Sequence, residues 1–108
     1  MAKRFKIAAS QFKPIAVGYG SCIASDYIAV EGRPVGFAYR EEPSDCIDSG
    51  WRFMSGDEDE KFLDNPDYFQ IYDVNTIANY DPLITSFLES PIGSEFVRDG
   101  SSFVPAAD

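Results

Sequence analysis

A chain of 108 residues with 44% hydrophobic and 15% aromatic residues fits one domain around one core and excludes global disorder. Eighteen acidic residues against nine basic ones give a net charge of −9. That balance opposes binding to a nucleic-acid backbone or an anionic membrane surface, and it favours a cationic partner.

Four of the nine bases, Lys3, Arg4, Lys6 and Lys13, precede the first acid, Asp26, so residues 14–108 carry a balance of −13. Residues 1–20 are expected to form an irregular basic arm with one short strand over 5–9. Lys6, Gln11, Lys13 and Pro14 interrupt its apolar residues, which argues against a targeting peptide. No apolar run approaches the ~18 residues that span a bilayer, so a cytoplasmic protein is expected. Cys22 and Cys46 are widely separated, and both are expected to be free thiols.

The domain itself is expected over residues 21–99. Residues 22–30 are rich in strand formers, and Glu31-Gly32-Arg33-Pro34 supplies a glycine able to take positive φ before a second run over 35–40, which together predict a β-hairpin. In the second run Val35, Phe37 and Tyr39 share a face by the period of two and are assigned to the core. Glu42-Pro43 ends this strand, an exposed loop runs to Gly50, and the next strand covers 51–55 with Trp51 and Phe53 on one face and Arg52 and Met54 on the other. A short helical turn or loop around Phe62-Leu63 and a strand over 68–72 follow.

Asp73 is placed to cap a short helix over 74–80. Asp81-Pro82 is a second start signal, and the spacing of Leu83, Ile84, Phe87 and Leu88 predicts a helix with one apolar face. Ser90-Pro91-Ile92-Gly93 stops it, residues 94–98 add an edge strand, and residues 100–108 are expected as a flexible tail. The fold expected is α+β: a mainly antiparallel sheet of four to five strands with one or two helices packed on one face.

Few catalytic constellations survive inspection. There is no histidine, which removes the commonest general base and the usual zinc ligand. Asp57-Glu58-Asp59-Glu60 fails the calcium-loop pattern, since its sixth position is Phe62 and its twelfth Tyr68. Neither Gly18-Tyr19-Gly20 nor Gly32 belongs to a phosphate loop. Arg40 and Arg52, among so many acids, are expected in partly shielded ion pairs. No catalytic residue, cofactor or metal ligand is assigned. The candidate partner-binding residues are Glu41, Glu42, Asp57, Glu58, Asp59 and Glu60 as a steering surface, with Trp51 or a nearby tyrosine as anchor.

The block Glu31-Gly32-Arg33-Pro34-Val35-Gly36-Phe37-Ala38-Tyr39-Arg40-Glu41-Glu42-Pro43, followed by Asp48-Ser49-Gly50-Trp51-Arg52-Phe53-Met54-Ser55-Gly56-Asp57-Glu58-Asp59, resembles the immunity protein thirty-three family of bacteria. The resemblance continues through Ile71-Tyr72-Asp73-Val74-Asn75-Thr76-Ile77, Asp81-Pro82 and Ser90-Pro91-Ile92-Gly93 to Phe96 and Arg98. It implies a small α+β protein that neutralises a toxin of a polymorphic toxin system, with no catalytic residues to carry over. The expected function is therefore non-catalytic binding of a cognate protein toxin with a basic surface. The alternatives are a housekeeping or regulatory interaction domain and, further away, a carboxylate-based metal-dependent enzyme.

Overall fold

The structure, a computed structural model, describes residue 7 and residues 11–106. Among these residues six strands form one mixed sheet: β1 (Ser21–Ser25), β2 (Phe37–Arg40), β3 (Asp48–Met54), β4 (Phe69–Asp73), β5 (Glu95–Asp99) and β6 (Ser102–Pro105), in the order β4-β1-β3-β2-β5-β6. Three short α-helices accompany it: α1 (Asp26–Ala29), α2 (Glu60–Leu63) and α3 (Val74–Tyr80), together with 3-10 turns at Pro66–Tyr68 and Pro82–Ser86. The α+β class holds, with six strands in place of four to five.

The expected hairpin between 22–30 and 35–40 does not form. Extended backbone at Ser25 hands the chain from β1 straight into α1. Gly32 does take a positive φ of 77°, but as the residue that reverses the chain after α1, where its amide donates to the Ile28 carbonyl. Freed from a tight turn, β1 pairs in parallel with β3 and antiparallel with β4, and β2 pairs antiparallel with β3 and β5. The parallel pair needs the crossover that α1 and β2 supply.

Register decides which side chains face the helices. Ala38 lies opposite Phe53 and Phe96, and Arg40 opposite Trp51, so Ala38, Trp51, Phe53 and Phe96 share one face. That face packs on Ile77, Ile84, Phe87 and Leu88 to make the core. Phe37 and Tyr39 lie opposite Met54 and Arg52 and point to the other face, which overturns their assignment to the core. A residue as small as Ala38 suits the core side because Trp51 and Phe53 fill the space beside it, and the Trp51 and Phe87 rings meet at 5.1 Å.

Asp73 caps α3 as expected, accepting from the Asn75 amide at 2.8 Å. Asp81 likewise accepts from the Leu83 amide, but the segment it starts is a 3-10 turn, not an α-helix. A period of three residues buries Ile84 and Phe87 and leaves Leu83 41% exposed. The expected flexible tail from residue 100 is also corrected in part: Ser102–Pro105 form β6, paired along β5, and the Phe103 ring packs edge-on against Phe87 at 4.9 Å. Before β1, residues 11–20 run beside α3 with little regular structure, and the expected strand over 5–9 lies outside the described residues apart from Ile7. Among the described residues, no helix is long and apolar enough to cross a membrane.

Candidate partner-binding face

The sheet face opposite the core is largely uncovered. Ile23 of β1 pairs with both Arg52 of β3 and Ile71 of β4, and Tyr39 of β2 pairs with Arg52 and with Glu95 of β5. These side chains therefore share the outer face. At one end Leu63 of α2 and Pro66 overhang it, and the space between is a shallow groove of about 670 Å³ walled by Ile23, Tyr39, Glu41, Arg52, Met54, Leu63 and Ile71. Ile71 is 74% exposed and Leu63 46%.

A buried ion pair underlies this groove. β3 carries an irregularity: between the pairs Ser21↔Asp48 and Ile23↔Arg52, β1 advances two residues while β3 advances four. Gly50 permits it, with a φ of 87° and so little room that an added Cβ would lie 2.2 Å from the Glu41 carbonyl oxygen. The Ser49 hydroxyl pins the kink by donating to the Ser21 carbonyl at 2.6 Å. Asp48 and Arg52 thereby come together, with Nη1 and Nη2 of Arg52 donating to the two carboxylate oxygens at 2.9 and 2.8 Å. Both side chains are buried, 5% exposed for Arg52 and 6% for Asp48.

Arg52 also donates through Nε to Glu41 at 2.6 Å, and the Glu41 side chain stays 51% exposed. The guanidinium hydrogen bonds hold the Asp48 carboxyl well below the usual carboxylate range, against the opposing effect of burial. Burial first, then the nearby Glu41 carboxylate, pushes the Tyr39 phenol up, so at neutral pH it is an uncharged donor at the groove wall. Cys22, on the core side, has its thiol pushed up chiefly by burial and is thus a packing residue. Both cysteines are free.

The candidate residues named from the sequence separate into different roles. Trp51 is fully buried, its indole N–H donating to the Leu88 carbonyl at 3.1 Å, so it is no surface anchor; its alternation with Arg52 turned it inward. Glu58 is a tie within the fold, accepting from the Ser25 hydroxyl at 2.6 Å, the Ser55 amide at 2.9 Å and the Gly56 amide at 2.9 Å. Burial would raise its pKa, but these hydrogen bonds outweigh that and lower it. Asp59 caps α2 by accepting from the Phe62 amide at 2.8 Å. Asp57 meets Arg33 at 3.1 Å on the surface. Glu42 and Glu60 are exposed, and only Glu41 of the set lines the groove.

Arg52 forms the expected ion pairs, whereas Arg40 donates to the carbonyls of Ser49 and Ser90 at 2.9 and 2.7 Å. Residues missed in the sequence are Tyr39, Leu63 and Ile71. The alternation of Phe69, Ile71 and Asp73 along β4 was visible, but it does not say which of the two sheet faces would be left uncovered. Among the described residues, no cluster of three or more Cys, Asp or Glu side chains is arranged to hold a metal ion.

A mixed six-stranded sheet, with α1, α3 and the Pro82–Ser86 turn packed on one side and a groove overhung by α2 on the other, defines a small single-core α+β domain. The model of the immunity protein Imm33 domain matches residues 22–104, and the chain belongs to that family. No curated protein and no solved structure matches the chain.

Proposed function

We propose that this chain is a non-catalytic immunity protein that neutralises a cognate protein toxin by binding it through an acidic surface. The observation that carries this reading is its family membership over residues 22–104, and the net charge of −9 supports a basic partner. Glu41, Glu42, Asp57 and Glu60 are the side chains suited to steering, because each is exposed, while Glu58 and Asp59 are engaged in holding their own loop. Surface charges of this kind raise the association rate by attracting the partner before contact.

The test is co-expression with the toxins encoded beside the gene in its native host. Growth restored by the chain, together with a complex that copurifies, is the expected outcome. Survival unchanged by its presence with every such toxin would overturn the reading in favour of a regulatory interaction domain.

A further inference from the structure

We infer that the uncovered sheet face receives a segment of the toxin in which a lysine or arginine is flanked by apolar side chains, the cation meeting Glu41 and the apolar groups filling the groove beside Ile71 and Leu63. This rests on the toxin-binding reading and adds to it where the partner sits and what chemistry it presents.

Two features of the groove point to that occupant. Its walls are apolar and accessible, with Ile71 standing out from β4 and Leu63 from α2, which is the contact area an anchor side chain needs. Its charge is also one-sided. Among the described residues, the cation lining this groove, Arg52, is already matched by Asp48 beneath it, so the half-exposed Glu41 carboxylate is surplus, and Glu95, opposite Tyr39, adds a second. Arg52 holds Glu41 in place from below, so a partner cation meets a carboxylate whose position is already fixed.

Other occupants fit less well. The described residues ahead of β1 are committed elsewhere: the Lys13 amide donates to the Asn79 side chain at 2.8 Å, and the Ile15 and Ala16 amides donate to Asn75 at 2.7 and 2.8 Å. Both asparagines belong to α3, on the core side of the sheet. A second copy in a two-fold interface would set this patch, with its surplus carboxylates Glu41 and Glu95, against the same acidic patch of its mate.

The test is selection of a random-peptide phage library on the full folded chain, followed by NMR titration of the enriched peptides. Enriched sequences are expected to carry lysine or arginine beside apolar residues and to shift the resonances of Ile23, Tyr39 and Ile71. Binding should weaken about tenfold or more in Ile71→Asp and in Glu41→Gln, and should be retained in Leu83→Asp, an exposed site on the helix side. Ile71 is exposed enough that its substitution leaves folding intact, which a thermal melt verifies. Absence of enrichment, enrichment of acidic peptides, or binding indifferent to both face variants would overturn the inference. So would self-association that Ile71→Asp abolishes. Repeating the co-expression assay with Ile71→Asp and Glu41→Gln separates the two claims: protection by the wild type that both variants retain would keep the immunity function and reject this face.

Discussion

Asp48 and Arg52 lie four residues apart in one strand yet form a two-pronged ion pair, with contacts of 2.8 and 2.9 Å. In a regular strand that spacing would separate them by about 13 Å. The irregularity at Ser49 and Gly50 closes the distance, and it also sets the alternation that sends Trp51 inward and Arg52 outward. The Asp-Ser-Gly-Trp-Arg-Phe string is thus one physical device, joining a kinked strand, a buried pair and a presented carboxylate at Glu41.

Breaking this pair from either side leaves a charge in a buried place. Arg52→Leu and Asp48→Asn should each destabilise the domain by about 3–5 kcal/mol, read as a fall in the denaturant midpoint. Because the Asp48 pKa is depressed in the folded state, its contribution is fully present above the ordinary aspartate value of about 3.9. It is lost as pH falls towards the folded value. The stability gap between wild type and Asp48→Asn should therefore be constant near neutrality and narrow below about pH 4; a gap that widens on acidification would contradict the pairing.

Gly50→Ala tests the backbone device directly. The new Cβ meets the Glu41 carbonyl at 2.2 Å, at a φ that side chains rarely adopt, and a loss of about 1–3 kcal/mol or more is expected. Gly93→Ala is the control, since it has a similar φ of 98° but nothing within 4 Å of the added atom. The difference between the two melts measures the close approach to the Glu41 carbonyl apart from the φ penalty.

The 3-10 turn after Asp81 separates buried from exposed apolar residues. Phe87→Ala and Leu88→Ala should each cost about 2–5 kcal/mol, since both side chains lie in the core. Leu83→Ala should change stability by less than about 0.5 kcal/mol. Equal losses at Leu83 and Leu88 would mean a regular helix in that segment.

Local signals were the legible part of this fold. Asp73 and Asp81 announced their helical starts because capping is a chemistry of neighbouring residues. Trp51 and Phe53 alternated cleanly with Arg52 and Met54. Pairing was not legible: the parallel contact of β1 with β3 joins segments separated by α1 and β2, and no local residue encodes it. Face was also ambiguous in the second strand, where Phe37 and Tyr39 outweigh Ala38 in hydrophobicity but the register with β3 puts Ala38 inside. The candidate site suffered from the same gap. Acid clustering put Glu41 among the candidates, but whether an acid is free to steer or holds a loop depends on hydrogen bonds that only the folded chain makes.

Within the acidic run the residues should therefore behave differently. Glu58→Gln weakens a carboxylate that accepts from Ser25, Ser55 and Gly56, and should cost about 1–3 kcal/mol. Glu60→Gln, at an exposed position, should leave the melting temperature nearly unchanged. Equal and negligible effects would return Glu58 to the set of steering charges.

The central claim, that an acidic surface steers the chain onto a basic toxin, is tested most directly by the association rate with the cognate toxin as a function of salt. The comparison is wild type against a variant with Glu41, Glu42, Asp57 and Glu60 changed to glutamine or asparagine, which spares the internal ties of Glu58 and Asp59. The screening length falls from about 8 Å at physiological salt to about 3 Å at 1 M. The wild-type rate should therefore drop steeply with salt, and the variant should associate more slowly with a shallower slope. Identical rates and identical slopes for the two proteins would contradict the claim.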